Sequence, residues 1–120
     1  MSTNSKIKET AISVIKDEYQ AIINLADSIN DDFVESANVI YKSKGRVIVT
    51  GIGKSAIIAQ KIVATFNSTG TPSIFMHAAD AIHGDLGTIQ ENDSVICISK
   101  SGNTPEIKAQ IGRASCRERV

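Results

Sequence analysis

The sequence predicts an α/β fold built on parallel strands. Three observations carry that expectation. The β-branched run Val47-Ile48-Val49-Thr50 leads into Gly51-Ile52-Gly53 and then into a helical pattern at Lys54-Ser55. A second apolar run, Val95-Ile96-Cys97-Ile98, leads into the polar, glycine-containing loop Ser99–Thr104 and then into Pro105, which suits the first turn of a helix. Between them a third short strand is bracketed by helical segments. Strands that alternate with helices call for a parallel sheet with helical crossovers.

Taken in order, the chain opens with a long helical pattern. Ile7, Ala11, Val14, Ile15, Tyr19, Ile22, Ile23, Ala26 and Ile29 recur at three and four residues, which predicts a helix from Ser5 to about Ile29. A second helix is expected from about Asp32 to Lys42. Asn30 or Asp31 would cap it, and Phe33, Ala37 and Ile40 would form its inner face. An amphipathic pair ahead of the first strand must pack on something, either the sheet or another subunit. Lys44-Gly45 ends the pair.

After the first strand and its glycine loop, Ala56 to about Asn67 reads as a helix. Gly70 is placed to cap its carboxyl end and Pro72 to bar continuation. Ser73–Met76 is a short strand, His77–Gly84 a short helix or irregular turn, and Asp85–Thr88 a loop. Asn92-Asp93 turns into the third strand, Ser94–Ser99, in which Cys97 reads as a small core residue.

Composition excludes several classes of function. Among 120 residues, Lys+Arg and Asp+Glu number 13 each, so no charge excess points to nucleic acid or an anionic membrane surface. No stretch approaches the ~20 apolar residues of a membrane span, and the first ten residues hold no apolar leader core. Two cysteines are too few for a disulfide framework. A cytoplasmic protein is the expectation.

The last ten residues, 111–120, read IGRASCRERV. Gly112 interrupts the helix that Pro105 begins, and three arginines follow in quick succession. The string also back-translates codon by codon to a common sequencing-adapter tail. Residues 1–110 are therefore expected to be the N-terminal part of a longer domain, cut after its third strand, with 111–120 a non-native tail.

Two loops offer chemistry. A strand end that feeds glycines into a helix start presents backbone N–H groups and the positive helix end to an anion. Gly51-Ile-Gly-Lys-Ser-Ala also fits the dinucleotide pattern G-x-G-x-x-G/A in the right context. That pattern expects an acid near the end of the next strand, whereas this strand runs into Phe75-Met76-His77 and the first acid is Asp80. A Walker loop is excluded because its leading glycine would fall at Ile48. A single compact phosphate suits Gly53, Lys54 and Ser55 better than a pyrophosphate. Ser99, Ser101 and Thr104, with Gly102 and Asn103 between them, place three hydroxyls at a second helix start, where neutral donors hold phosphate or simply cap the helix. Glu106 follows in the first helical turn, close enough to an anion to serve in proton transfer. His77, Asp80, His83 and Asp85 form a polar group whose spacing matches no strong metal motif.

In order and spacing, Gly51-Ile-Gly-Lys-Ser, Ser68-Thr-Gly-Thr-Pro, His83-Gly-Asp-Leu-Gly and Ser99-Lys-Ser-Gly-Asn-Thr resemble the sugar isomerase (SIS) domain of arabinose-5-phosphate isomerases. The resemblance runs from about Lys6 to Gln110. It implies a three-layer α/β sandwich around a parallel sheet, assembled as a tetramer. It also implies interconversion of D-ribulose 5-phosphate and D-arabinose 5-phosphate on the way to the lipopolysaccharide sugar Kdo, with no cofactor. By position Lys54 matches the family's active-site lysine, Glu106 a glutamate after the serine loop, and His83 a substrate-side histidine linked to inhibitory zinc. Ser99, Ser101 and Thr104 fall on the phosphate loop. Lys100 stands where asparagine is common, and Ala56-Ile57 replaces a usual glycine–histidine. A further active-site glutamate and histidine, and a paired CBS module, would lie beyond residue 110. Two other functions fit parts of this pattern: a non-catalytic phosphosugar-sensing SIS regulator, which a DNA-binding segment would mark, and a dinucleotide-binding domain.

Overall fold

The computed structural model describes residues 2–82 and 85–101. Its elements are α1 (Thr3–Asn24), a 3-10 turn (Leu25–Ser28), α2 (Asp31–Lys42), β1 (Val47–Gly51), α3 (Lys54–Ser68), β2 (Ser73–His77), α4 (Ala78–Ile82), a second 3-10 turn (Asp85–Thr88) and β3 (Ser94–Cys97). The chain forms two compact units that part between Asn38 and Val39, inside α2.

In the first unit, the Ser2 side chain caps α1 by accepting from the Ser5 N–H at 3.2 Å. The helix stops five residues short of the expected end, because the chain tightens into the 3-10 turn and then extends at Ile29. Asn30 caps α2 as expected, its Oδ1 accepting from the Phe33 N–H at 3.1 Å. The expected inner face of α2 is only partly realised. Phe33 and Ala37 are exposed, and Ile40, beyond the division, is the member of the three that packs on the core.

The second unit is a parallel sheet with strand order β2-β1-β3. β1 lies in the middle and is buried along its whole length, as an unbroken apolar run should be in a parallel sheet. Alternate side chains feed two clusters. Val47 and Val49 meet Ala59, Ile62, Val63 and Phe66 of α3, while Ile48 points the other way to Met76 and Ile89. Each fully buried aliphatic side chain contributes about 1.5–3 kcal/mol.

α3 begins at Lys54, where the helical pattern opens, and ends in a left-handed turn. Gly70 has φ +94°, and the Thr71 N–H reaches back to the Phe66 carbonyl at 2.8 Å. Asn67 then holds the start of β2 from both sides, accepting from the Ser73 N–H at 2.8 Å and donating to its carbonyl at 3.0 Å. Two further expectations are corrected. Asp85–Thr88 is a 3-10 turn, and β3 stops at Cys97, the last of its residues in register with β1. Cys97 is half-buried in the sheet, and burial raises its thiol pKa.

Candidate functional site

The strand order makes β1 the point where the chain changes direction across the sheet. From β1 it crosses to β2 on one side, and from β2 it returns past β1 to β3 on the other. Ligands of open parallel sheets bind beyond the carboxyl ends of the strands at such a reversal.

At that end the backbone explains both glycines. A β-carbon on Gly51 would lie 3.0 Å from the Ser55 carbonyl, so any side chain would push the start of α3 away from the sheet. Gly53 has φ +62° and ψ −131°, a conformation costly for residues with a β-carbon. No side chain caps α3. The Ala56 N–H turns back to the Gly53 carbonyl at 3.1 Å, which leaves the Lys54 and Ser55 N–H groups at the positive end of a 15-residue helix. Lys54 is exposed and Ser55 half-buried.

The second loop arrives alongside. Thr50 is in register with Cys97, and the Ile98 N–H donates to the Thr50 carbonyl at 2.9 Å, extending the ladder one step past the strand. Ser99 follows half-buried, then Lys100 and Ser101 exposed. The structure thus brings Gly53, Lys54, Ser55, Ser99 and Ser101 to one end of the sheet. Gly102, Asn103, Thr104 and Glu106, the tail 111–120, and His83 with its zinc role lie outside the described residues.

On the other flank stands a residue the sequence reading placed only in a loose polar group. His77 extends β2 by one residue and is in register with Gly51. Its Nδ1 accepts from the Ala79 N–H at 3.2 Å, and its ring meets Phe75 edge-on with centroids 6.3 Å apart. That hydrogen bond orients the imidazole and leaves Nε2 as its second polar atom. The alternation of Phe75 and His77 along the strand was the available signal. No acid ends β2, and Asp80 is exposed on α4, so the ribose-binding position of a dinucleotide site is not occupied as that pattern requires. Among the described residues, no three His, Cys, Asp or Glu side chains gather as a metal site would need.

The opposite end of the sheet holds the strongest polar cluster among the described residues. Arg46 and Asp93 form an ion pair at 2.7 Å, and the Asp93 carboxylate also accepts from the backbone N–H groups of Arg46 and Gln90, each at 2.8 Å. The Arg46 guanidinium donates in addition to the Thr88 carbonyl at 2.9 Å. Hydrogen bonding to Arg46, more than the backbone donors, holds the Asp93 carboxyl at about 2 despite its burial. This pairing spans 47 positions, and nothing local in the sequence announces it.

Residues 39–119 match the SIS domain, and the chain belongs to that family. It is 46% identical over 107 residues to the arabinose 5-phosphate isomerase KdsD of Pseudomonas aeruginosa, covering 89% of this chain and 33% of that protein. It is 48% identical over 96 residues to the arabinose 5-phosphate isomerase GutQ of Escherichia coli K12, covering 80% of this chain and 30% of that protein. Protein c3406 of Escherichia coli CFT073, solved in complex with arabinose 5-phosphate, superposes with a TM-score of 0.87 at 40% identity, covering 97% of this chain and 61% of that one. The chain spans about a third of the length of the curated relatives it matches. No helix among the described residues is long and apolar enough to cross a membrane.

Proposed function

We propose that this chain is part of an aldose–ketose isomerase that interconverts D-ribulose 5-phosphate and D-arabinose 5-phosphate. The observation that carries the reading is the convergence of two loops. The glycine–lysine loop after β1 and the serine loop after β3 follow neighbouring parallel strands that share a register. The relatives named above as arabinose 5-phosphate isomerases, and the neighbour solved with arabinose 5-phosphate, support the choice of sugar.

In this reading the serine loop, residues 99–104, holds the phosphate through hydroxyl and N–H donors. A carboxylate takes the proton from C1 of the ketose, giving a cis-enediolate, and a proton returns at C2 to give the aldose. Lys54 and the start of α3 stabilise the negative charge that develops on the sugar oxygens. Glu106 handles or orients the proton, and His77 and His83 contact the sugar. The reaction as written uses no redox cofactor, and zinc at His83 would inhibit it. The whole protein is proposed to act in the cytoplasm as a homotetramer, on the path to Kdo. Residues 1–110 are proposed to be the native N-terminal part of the domain and 111–120 a foreign tail, which resequencing from an independent library tests.

The direct test follows ribulose 5-phosphate formed from arabinose 5-phosphate by the full-length protein. Turnover that depends on Lys54 is expected. A protein that binds the sugar phosphate but turns over none would support the non-catalytic sensor instead.

A further inference from the structure

His77 stands where the sheet meets the start of α3. A β-carbon on Gly51 would face the Ser55 carbonyl at 3.0 Å, so at this level the first turn of α3 lies directly over β1. His77 is paired in register with Gly51. Side chains at paired positions of parallel strands share a face, and neighbouring strands lie about 4.8 Å apart. The imidazole therefore stands on the α3 face, beside a position that carries no side chain. Phe75, two residues earlier and on the same face, packs against the α3 cluster and meets the ring edge-on. This places His77 next to the helix start that the reading above turns to the sugar oxygens.

The hydrogen bond to α4 fixes more than the ring plane. Nδ1 accepts from the Ala79 N–H at 3.2 Å. A ring nitrogen that accepts carries no proton, so the proton of the neutral imidazole sits on Nε2. The ring is half-buried, and among the described residues no hydrogen bond engages Nε2. With Nδ1 held by α4, Nε2–H is the donor that the imidazole brings to the carboxyl end of the sheet.

We propose that His77 is a catalytic residue whose Nε2–H donates to the O1 and O2 oxygens of the open-chain sugar and stabilises the cis-enediolate. The proposal rests on the isomerase reading above. When the carboxylate takes the C1 proton of the ketose, the C–H pair becomes the C1=C2 bond and the carbonyl pair moves onto O2. Nε2–H hydrogen-bonds to that oxygen and keeps its proton. The hydroxyl proton of O1 then passes to O2, the pair left on O1 forms the aldehyde, and the C1=C2 pair takes the proton back at C2 from the carboxylic acid. A donor already fixed in place suits charge that appears only as the reaction proceeds.

Two variants of the full-length protein test it, with Tm measured alongside. His77→Asn keeps an oxygen that can accept from the Ala79 N–H but loses the Nε2 donor, whereas the amide nitrogen of His77→Gln reaches the Nε2 position. His77→Asn should lower kcat by about 10²-fold with KM within about threefold of wild type, and His77→Gln should recover about tenfold of that loss. An Asn variant as fast as wild type would make His77 structural only, and a Gln variant as slow as the Asn variant would overturn donation from Nε2. The contact is also read without turnover. In protein carrying nitrogen-labelled histidine, the His77 Nε2–H resonance should move when arabinose 5-phosphate binds. A resonance that stays put overturns the proposal, with or without turnover. A shift in a wild-type protein that turns over none removes the isomerase reading and leaves His77 a sugar-binding donor.

Discussion

The two ends of the sheet are built on opposite principles. At the amino end, polar groups find each other. Asp93 collects the Arg46 side chain and two backbone N–H groups, Ser43 donates to the Asn92 carbonyl at 3.0 Å, and Ser73 donates to the Val47 carbonyl at 2.6 Å. Gly45 lies so close to Asn92 that a β-carbon there would overlap its backbone. At the carboxyl end the same strands deliver glycines, an exposed lysine and an uncapped helix start. One end is satisfied by its own groups and holds the strands in register. In the reading proposed above, the other end turns its helix-start N–H groups and its lysine charge to the substrate. A fold can carry a site on such terms when stability is supplied elsewhere.

Substitutions at the two ends should therefore fail differently. The largest effect is expected at Lys54. In the full-length protein Lys54→Ala should lower kcat by about 10²–10³-fold with Tm essentially unchanged. A parallel fall in Tm would mean that the carboxyl end is structural after all. At the amino end Gly45→Ala should do the reverse. It should cost about 3 kcal/mol in chemical denaturation, since the clash is with backbone that cannot swing aside, and it should leave KM close to wild type.

Asp93→Asn should cost about 2 kcal/mol by removing the charge from a carboxylate that Arg46 and two N–H groups serve. The pH dependence sharpens this prediction. The Asp93 carboxyl is held at about 2 in the folded protein against an ordinary 3.8. As pH falls below about 4 the unfolded chain takes up this proton first. The contribution is therefore complete above that pH and is lost as pH drops toward 2, about 2 kcal/mol in all. Urea titrations at pH 5 and pH 3 should show a smaller drop for Asp93→Asn than for wild type, and equal drops would show that Asp93 is not the group responsible. The smallest effect is expected at Gly53. Nothing crowds a β-carbon there, but the backbone conformation costs about 1–2 kcal/mol for alanine. Gly53→Ala should lose about that much stability and also weaken inhibition by inorganic phosphate, whereas a loss of stability alone would separate Gly53 from the anion site.

What was legible in the sequence was local. Val47–Thr50 has to be a buried strand, Gly53 admits a backbone that other residues resist, Gly70 ends a helix, and Asn30 begins one. Each of these depends on a few neighbouring residues. The less legible features join distant residues. Asp93 read only as part of a turn, and nothing near it in the sequence pointed to Arg46. His77 read as the first residue of an irregular segment, until pairing with Gly51 drew it into β2. The face of α2 looked continuous from Phe33 to Ile40, yet of its three residues Ile40 is the one that packs on the core.

By itself, the sequence determined that strands would alternate with helices, that two polar loops would follow two of those strands, and that Lys54 would open a helix beside glycines. β-branching, glycine conformations and helix periodicity act within a few residues and need no partner. Only the tertiary structure decided that β3 lies beside β1 on the side away from β2. That order brings the loops of β1 and β3 together at one end and Arg46 and Asp93 together at the other. Strand order depends on which hydrogen-bonding edge a returning chain can reach and which faces it can bury, and those choices are made by residues far apart in sequence.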